Sequence, residues 1–452
     1  MFEDSLTQTL LALLTMATAD DMEIHQMDVD NAYLNAPLQE EIYMSPPKQL
    51  MQRYPDKVFK LKKSLYGLKQ AGYEWNKLLN STLQDLGWKR AASDTCLYTR
   101  NPSKLEYLLV YVDDLLIITS GLKRMTIVKG EIAAKFRSKD LGEASYILGL
   151  RLTRDRPRLA LSLDQTALIT RILGTYDSKT NNFSRIPMEA KLSLAASKEQ
   201  ANPGDITRYQ EIVGSLLRLS RFTRPDISTA TNIVGRFASN PGPDHFAAVY
   251  RILGYLRYTI EDRFRIGGNT RGSCETQGIE LFTDSDWAGC QDDRKSTSGF
   301  MIKWGNSTVS WSSRKQESVS LSLSLSTMEA EYIALAEGVK EAIFIQQIVC
   351  DMGFGKKCLL VHCDNQAAVE TVKKPSQHSK AKHIDIRYHF VRDLYEKGLI
   401  RVSYINTRMN PADLFTKPLV RDAIGSAKRM IGITCSKDRG SVSEPLNIPE
   451  DR

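Results

Sequence analysis

Two apolar runs separated by a short polar segment give the clearest local pattern in the chain. Residues 107–110 (Tyr-Leu-Leu-Val) and 115–118 (Leu-Leu-Ile-Ile) are rich in strand-forming side chains, and Tyr-Val-Asp-Asp lies between them. The pattern predicts a β-hairpin with the carboxylates of Asp113 and Asp114 at its tip. Aspartate is common in turns, so a solvated turn would explain the pair. Two adjacent like charges also favour a divalent cation, and both interpretations stay open on this segment alone.

A third carboxylate lies upstream, in residues 26–34. Polar side chains recur at alternate positions before a predicted helix start at Asn31, which places Asp28 near the end of a short strand. Hard oxygen ligands from two separate segments suit Mg²⁺, which holds phosphate oxygens and can activate a hydroxyl nucleophile in a two-metal arrangement. Phosphoryl transfer on nucleotides is therefore the leading chemical hypothesis.

The second half of the chain also has acids at the ends of predicted strands. Asp284 follows the apolar positions of residues 279–282, and Asp364 follows the run of residues 359–363. Asp413 comes after Asn-Pro-Ala, which is typical of an N-cap and a proline at the first helical position. Acids are favoured in a first helical turn, so spacing alone favours a structural role for Asp413.

A helix predicted between these two strands carries two glutamates with different roles. Ser326 and Glu329 fit a capping box at the start of the helix. Glu331 lies on the helical stripe of Met328 and Leu335, and an inward-facing carboxylate needs a partner because burying an unpaired charge is costly. We therefore predict Glu331 as a metal ligand and Glu329 as a structural cap.

Composition and charge agree with a multidomain protein that acts on nucleic acid. The 452 residues exceed one ordinary core, and 42% apolar with 25% charged residues is a globular composition, so two or three domains are expected. The net charge of +8 suits a polyanionic partner. The seven cysteines include no Cys-x-x-Cys pair, and they indicate reduced thiols in an intracellular protein, cytoplasmic or nuclear. The sequence shows neither a signal peptide nor a long apolar segment, so no membrane partner is expected.

The chain resembles the reverse transcriptase and RNase H portion of copia-type LTR retrotransposon polyproteins. The order of the matching blocks and their spread over most of the chain make the resemblance specific. In chain order, the blocks are residues 26–29 (QMDV), 41–44 (EIYM), 64–71 (SLYGLKQA), 111–114 (YVDD), 140–144 (DLGEA), 223–227 (TRPDI), 284–289 (DSDWAG), 293–299 (DRKSTSG), 330–335 (AEYIAL), 382–387 (KHIDIR) and 412–419 (ADLFTKPL).

The resemblance implies both the fold and the chemistry. It implies a multidomain α+β or α/β protein, in which a right-hand polymerase palm with thumb and connection precedes an RNase H-like mixed β-sheet domain with flanking helices. Two Mg²⁺ ions per active site, or Mn²⁺ in their place, would be held by carboxylates. The implied catalytic and metal-binding residues are Asp28, Asp113 and Asp114 for polymerisation and Asp284, Glu331, Asp364 and Asp413 for RNase H cleavage. The implied substrate-binding residues are Tyr33, Gln70 and Tyr111.

Two of these substrate contacts can be described further. Tyr33 would lie under the incoming sugar and exclude a ribose hydroxyl by its bulk, with an ordinary buried aromatic as the alternative. The amide of Gln70 could hydrogen-bond a sugar or a base edge. The family usually continues after this position with Pro-Arg, whereas this chain has Gly72 and Tyr73.

The expected domain boundaries are residues 1–160 for the palm, 161–276 for the thumb and connection, 277–420 for the RNase H-like domain and 421–452 for a tail that is disordered at its end. The alternating Ser-Leu run of residues 318–326 predicts an edge strand. The basic segment of residues 378–383 is expected to form a loop, either in contact with nucleic acid or solvated. Few residues precede Asp28, which implies a truncated fingers region.

These observations support three hypotheses. The first is an RNA-directed DNA polymerase with RNase H activity, whose partners would be an RNA template, a DNA primer, an RNA–DNA hybrid and deoxynucleoside triphosphates, with other retrotransposon polyprotein products as further candidates. The second is a remnant with RNase H activity only, because positioning dominates phosphoryl transfer and truncated fingers would impair it. The third is a nucleic-acid-binding relic without catalysis.

Overall fold

Helices and strands alternate along the part of the chain that the computed structural model describes, which is residues 2–100, 106–176, 183–190, 192–268, 278–287, 289–316, 326–373 and 382–435. Up to residue 147 the elements are α1 (Phe2–Ala19), β1 (Glu23–Val29), α2 (Ala32–Asn35), β2 (Tyr43–Met44), α3 (Lys48–Met51), β3 (Phe59–Lys60), α4 (Ala71–Asp85), β4 (Lys89–Arg90), β5 (Leu97–Arg100), β6 (Glu106–Tyr111), β7 (Asp114–Thr119), α5 (Leu122–Ala133), β8 (Ser138–Glu143) and β9 (Tyr146–Ile147).

Beyond residue 147, helices form a larger share of the elements. They are β10 (Leu150–Asp155), β11 (Ala160–Asp164), α6 (Thr166–Tyr176), α7 (Pro203–Phe222), α8 (Ser228–Gly235), α9 (Pro243–Tyr258), β12 (Asp262–Gly267), β13 (Ile279–Ser285), β14 (Thr297–Trp304), β15 (Ser307–Lys315), α10 (Ser326–Asp351), β16 (Leu359–Cys363), α11 (Gln366–Lys373), α12 (Lys382–Glu396), β17 (Ile400–Tyr404), α13 (Arg421–Ile431) and β18 (Ile433–Cys435). A 3₁₀ helix at Pro411–Phe415 precedes α13.

The residues group into two compact units. The smaller unit comprises Asp21–Ile147 and Asp351–Gly353, and the larger unit comprises Met1–Asp20, Leu148–Cys350 and Phe354–Arg452. The sequence predicts four segments instead, and the assignment of residues to palm, thumb and connection stays a prediction.

Two segments differ from their predicted places. Helix α1, which we assigned to the palm segment, belongs to the larger unit and contacts β11, β12 and β15. Its described side chains are buried over most of its length, as expected for a helix that is apolar on all sides.

Residues 421–435, which we assigned to the tail, form α13 and β18, and β18 pairs with β12. This stretch is ordered because Ile424, Ala427 and Ile431 give α13 one apolar face to bury.

The smaller unit is built on an antiparallel sheet in the strand order β4-β5-β6-β7-β1-β8. Helix α4 buries Trp75, Leu79 and Leu83, which recur every four residues on one face, in the same core as side chains of β1, β6 and β7. The predicted hairpin is confirmed, because β6 and β7 pair from Tyr111 opposite Asp114 onward.

The larger unit contains an antiparallel sheet with β18-β12-β11-β10 as neighbours, and a mixed sheet in the order β15-β14-β13-β16-β17. In the mixed sheet, β13 pairs antiparallel with β14 and parallel with β16. Helix α10 approaches β13 at Gly338, where a Cβ atom would lie only 2.9 Å from Leu281 Cδ1, so a larger residue there would force the Leu281 side chain to shift. The mixed α and β architecture is thus confirmed, together with the predicted strands before Asp284 and Asp364 and the helix start at Ser326.

Two predicted features cannot be compared with the structure. Residues 318–325 of the Ser-Leu run and residues 378–381 of the basic segment lie outside the described residues. In the described part of the chain, none of the helices combines the length and the apolarity that crossing a membrane requires.

Candidate active sites

The predicted catalytic acids fall into two groups, one in each unit. We call them the smaller-unit acids, which are Asp28, Asp113 and Asp114, and the larger-unit acids, which are Asp284, Glu331, Asp364 and Asp413.

Strands β1 and β7 bring two of the smaller-unit acids opposite each other. Asp28 pairs with Asp114 in the antiparallel register. Asp113 lies in the hairpin turn, and its carbonyl accepts a hydrogen bond from the Val29 amide at 2.9 Å. Burial raises the pKa of Asp28, and the negative charges of Asp114 and Asp113 raise it further.

The hairpin turn has a strained backbone. Val112 has a φ of +56°, in the left-handed region that a β-branched residue rarely adopts. Trp75 Nε1 on α4 donates to the Val112 carbonyl at 2.9 Å, which holds the turn in this conformation. Tyr111, a predicted substrate contact, is 39% exposed beside the turn. The strain is thus located where the sequence predicts chemistry.

Uncharged side chains bind the carboxylates of this group. The Tyr66 hydroxyl donates to Asp113 Oδ2 at 2.5 Å, and Gln26 Nε2 donates to Asp114 Oδ1 at 2.9 Å. Asp113 Oδ1 is buried and has no hydrogen-bond partner among the described residues. Within those residues, the smaller-unit acids do not bring three ligand atoms within 4.8 Å of one another. The structure therefore aligns Asp28 and Asp114 but does not close the predicted metal site.

The predicted substrate contacts lie in the same unit. The Tyr33 ring centroid is 4.5 Å from that of Tyr66, and burial together with the charge of Asp113 raises the pKa of Tyr33. Gln70 Nε2 donates to Glu40 Oε2 at 2.6 Å, so the amide that we expected on a sugar or base has a protein partner. Tyr66 was not predicted as a site residue, although it lies in the matching block of residues 64–71.

The larger-unit acids meet at the ends of two parallel strands. Asp284 lies near the end of β13 and is only 3% exposed, and Asp364 directly follows β16. Since β13 and β16 are parallel, their carboxyl ends lie at the same edge of the sheet. On its other side, β13 pairs with the antiparallel strand β14, so the strand direction changes at β13. Asp413 comes from the 3₁₀ helix and Glu331 from α10.

Two overlapping groups of ligand atoms result. Carboxylate oxygens of Asp284, Asp364 and Asp413 lie within 4.8 Å of one another, and oxygens of Glu331 and Asp364 form a second such group with Cys363 Sγ. Asp364 belongs to both. The structure thus places Glu331 in the acid cluster, while the role of Glu329 as a cap stays a prediction.

The 3₁₀ helix that carries Asp413 is fastened to β13 and β14. Asn410 accepts from the Ala412 amide at 3.1 Å, which confirms the predicted N-cap, and Asn410 Nδ2 donates to the Thr283 carbonyl at 2.9 Å. At Gly299 a Cβ atom would lie 2.8 Å from Phe415 Cβ, so only glycine lets the helix lie this close to β14. The helix is short, and Pro418 disfavours helical backbone at the residue before it.

Burial and mutual repulsion control the charge of this group. Burial raises the pKa of Asp284 to about 8, and the charge of Asp413 contributes. Burial also raises the pKa of Glu331 to about 9, with contributions from Asp284 and Asp364. Burial raises the pKa of the Cys363 thiol, which donates from Sγ to Glu331 Oε2 at 3.9 Å.

Two residues of this site were missed by the sequence argument. The Thr416 hydroxyl donates to Asp284 Oδ2, and Lys417 Nζ lies 3.1 Å from Asp413 Oδ1. Burial opposes the charge of Lys417, but the surrounding acids raise its pKa overall. A lysine four residues after an acid is a recognisable helical pair, so the spacing of Asp413 and Lys417 could have indicated this contact.

Comparisons with known proteins agree with the sequence motifs. The sequence model of the family described as reverse transcriptase (RNA-dependent DNA polymerase) matches residues 6–190. The chain is 36% identical over 434 residues to the retrovirus-related Pol polyprotein from transposon TNT 1-94 of Nicotiana tabacum, a match that covers 94% of this chain and 32% of that protein. It is 33% identical over 323 residues to a transposon Ty5-1 protein of Saccharomyces cerevisiae, covering 70% of this chain and 100% of that protein. The chain belongs to the reverse transcriptase family of copia-type retrotransposon Pol polyproteins.

This copia-type chain is short beside the Pol polyproteins that it matches. It spans 32% of the polyprotein from transposon TNT 1-94 and 28% of that from transposon RE1 of Arabidopsis thaliana. Among solved structures, the foamy viral protease-reverse transcriptase in complex with an RNA/DNA hybrid matches with a TM-score of 0.49 and 12% identity, over 85% of this chain and 44% of that chain.

Proposed function

We propose that the chain is an RNA-directed DNA polymerase with RNase H activity, which uses two-metal phosphoryl transfer at both groups of acids. The observation that carries the proposal is the meeting of Asp284, Asp364 and Asp413 within ligand distance, in a chain of the reverse transcriptase family. The net charge of +8 supports polyanionic substrates, which would be an RNA template, a DNA primer and an RNA–DNA hybrid, with deoxynucleoside triphosphates as the incoming nucleotides.

The donor atoms of both groups fit magnesium. Carboxylate oxygens are the hard ligands that Mg²⁺ prefers, and a cation would offset the repulsion between the larger-unit acids when these are ionised. When bound, two Mg²⁺ ions per site, or Mn²⁺, would stabilise developing phosphate charge and lower the pKa of the attacking hydroxyl or water. The smaller-unit acids would hold the ions for polymerisation and the larger-unit acids those for RNA cleavage.

In the larger unit, the protein groups have distinct tasks. Asp364 shares a ligand group with Asp284 and Asp413 and another with Glu331, so it would contribute a ligand oxygen to both groups. Thr416 fixes one oxygen of Asp284, which leaves the other free to bind. Lys417 keeps a positive charge beside Asp413, where it can offset part of the charge of an approaching RNA phosphate.

In the smaller unit, the Tyr66 hydroxyl would compete with a cation for Asp113 Oδ2, the oxygen to which it donates. Gln26 keeps Asp114 oriented toward Asp28. The Tyr33 ring would lie under the incoming sugar, where its bulk excludes a ribose 2′-hydroxyl.

A second candidate function is RNase H activity alone. It is favoured by the difference between the groups: among the described residues, only the larger-unit acids bring three ligand atoms within 4.8 Å of one another. Phosphoryl transfer depends strongly on positioning, so an unassembled acid group would slow polymerisation severely.

One experiment tests both candidates. The purified chain is incubated with Mg²⁺ and an RNA–DNA hybrid that has a recessed DNA primer and a different label on each strand, and primer extension and RNA cleavage are scored in one gel. Both activities would support the main proposal, and cleavage without extension would support the second candidate. A chain that binds the hybrid but has neither activity, in Mg²⁺ or Mn²⁺, would contradict both and favour a non-catalytic nucleic-acid-binding protein.

A further inference from the structure

One face of α8 donates hydrogen bonds to the elements around the larger-unit acids. Thr229, Asn232 and Arg236 lie three and four positions apart, so they share one side of the helix. Their acceptors belong to the 3₁₀ helix, β15 and β14. The bonds run from Thr229 Oγ1 to the Leu414 carbonyl at 2.5 Å, from Asn232 Nδ2 to the Ser313 carbonyl, and from Arg236 Nη2 to Thr297 Oγ1 at 3.1 Å.

The Thr229 bond is the one closest to the proposed chemistry. Its acceptor belongs to the residue that directly follows Asp413, and both Thr229 and Leu414 are buried, with exposures of 4% and 3%. A buried carbonyl that loses its donor keeps the full cost of desolvation. The bond therefore acts on the backbone next to a metal-ligand candidate without touching its carboxylate.

The backbone hydrogen bonds that join the 3₁₀ helix to its flanking residues are long, so contacts from neighbouring elements matter for its position. The Asp413 amide is 3.4 Å from the Asn410 carbonyl, and the amides of Thr416 and Lys417 are 3.4 and 3.5 Å from the Asp413 carbonyl. Backbone hydrogen bonds are usually about 2.9–3.0 Å long. The Asn410 side chain holds the start of this helix on β13, and Thr229 holds the far side of Asp413.

Helix α8 is itself firmly anchored. Just before it, Arg224 and Asp226 form a fully buried bidentate pair at 2.9 and 2.8 Å. The Tyr255 hydroxyl donates to the same carboxylate at 2.7 Å, and Arg224 Nη2 donates to Thr259 Oγ1 at 2.6 Å. This hydrogen-bond network gives the block of residues 223–227 a structural role, because it holds the residues directly before α8 in place.

We propose that Thr229 is a positioning residue of the larger-unit acids: through the Leu414 carbonyl, α8 keeps Asp413 within ligand distance of Asp284 and Asp364. Thr229 lies in residues 161–276, the segment that we predicted as thumb and connection. This segment would thus position one of the larger-unit acids, although all four of them lie outside it. The catalytic consequence rests on the proposed RNase H function, whereas the effect on the 3₁₀ helix does not.

The test uses the full chain with three substitutions. Thr229→Val removes the donor at nearly constant volume, and Thr229→Ser keeps the hydroxyl. Thr231→Val is the matched control, because Thr231 is buried on the same helix and its hydroxyl has no hydrogen-bond partner within the described residues. Hydrogen–deuterium exchange is followed by mass spectrometry in peptides covering residues 410–418, without metal and with Mn²⁺.

In Thr229→Val, exchange in residues 410–418 should become about tenfold faster, while Thr229→Ser and Thr231→Val should behave like the unmodified chain. On the hybrid, Thr229→Val should lower kcat for RNA cleavage about tenfold and raise the Mg²⁺ concentration for half-maximal rate, with KM for the hybrid unchanged. Thr229→Ser should restore both.

Equal exchange in Thr229→Val and Thr231→Val would overturn the proposal. Faster exchange throughout β16 and α10 would also overturn it, because Thr229 would then contribute to packing in general. Faster exchange in residues 410–418 with an unchanged kcat would overturn it as well. Failure of the proposed function gives a different result: the unmodified chain and its Asp364→Asn variant would both lack cleavage, while faster exchange confined to residues 410–418 in Thr229→Val would still support the hold on the 3₁₀ helix.

Discussion

The two groups of acids differ in how far the fold itself assembles them. In the larger unit, Asp284, Asp364 and Asp413 already lie within ligand distance of one another. In the smaller unit, Asp28 and Asp114 face each other across two strands, but Asp113 is bound to the hydroxyl of Tyr66. The same residue types thus form one group whose ligand atoms already lie close together and one whose ligand atoms do not.

Burial explains how the assembled group tolerates its own charge. The raised pKa values of Asp284, about 8, and Glu331, about 9, mean that both carboxyls hold a proton at neutral pH, which removes much of the repulsion. The smaller-unit acids are more exposed, and neutral donors such as Gln26 hold them in separate hydrogen bonds. Protonation therefore lets Asp284 and Glu331 lie close together without a cation, whereas the half-buried smaller-unit acids are held apart by hydrogen bonds to other side chains.

The largest effect that would test this comparison is expected for Asp364→Asn. This residue belongs to both ligand groups, so its loss should lower RNA cleavage by about 10³-fold or more, while hybrid binding stays nearly intact. Cleavage and hybrid affinity are measured on the same preparation. The matched control is Asp393→Asn, an exposed acid paired with Lys397 at 2.7 Å, which should cleave normally. Unchanged cleavage in Asp364→Asn would remove the larger-unit acids from the mechanism.

Asp113→Asn should have the next largest effect, and this effect should be confined to primer extension. It removes a carboxylate at the hairpin tip, so Mg²⁺-dependent primer extension should fall by at least about 10²-fold while RNA cleavage by the same sample is unchanged. The gel with two labels reports both rates at once, and cleavage serves as the internal control for folding. Persistent extension would show that the hairpin is not the polymerisation site.

Much of both sites could be predicted from the sequence because the acids lie at the ends of regular elements. The apolar runs before Asp284 and Asp364 and the capping signals at Ser326 and Asn410 located the four larger-unit acids on their elements. Contacts that depend on tertiary packing left no local signal. The bond from Tyr66 to Asp113 joins residues 47 positions apart, and the placement of α1 in the larger unit depends on what its apolar surface meets.

The raised pKa values predict how stability depends on pH without metal. The folded pKa of Asp284 is about 8 against an ordinary 3.8, so the folded state binds more protons than the unfolded state between these values. The contribution of these two carboxyls to stability is therefore fully present below their ordinary pKa values and is lost progressively as the pH rises toward about 8 to 9. In EDTA, the Tm should fall by several degrees from pH 6 to pH 9, and Mg²⁺ should restore most of it at pH 9, where the carboxylates are ionised.

The variant Asp284→Asn is the control for this prediction. Its amide cannot ionise, so the Tm in EDTA should depend less on pH than in the unmodified chain, and Mg²⁺ should restore less of it at pH 9. A Tm in EDTA that rises with pH in the unmodified chain would contradict the raised pKa values of Asp284 and Glu331.

The smallest expected effect concerns the contact that distinguishes the smaller unit. Tyr66→Phe removes the hydroxyl from Asp113 Oδ2 but keeps the ring beside Tyr33, so cations should no longer have to displace it. The Mg²⁺ concentration for half-maximal primer extension should fall about threefold, as expected for the loss of one competing hydrogen bond. The Mg²⁺ dependence of RNA cleavage should not change.

The control is Tyr73→Phe, which alters an exposed tyrosine on α4 and should change the Mg²⁺ dependence of neither primer extension nor RNA cleavage. A higher Mg²⁺ requirement in Tyr66→Phe would mean that the hydroxyl orients Asp113 for its cation, and the smaller-unit acids would then be as ready to bind as those of the larger unit.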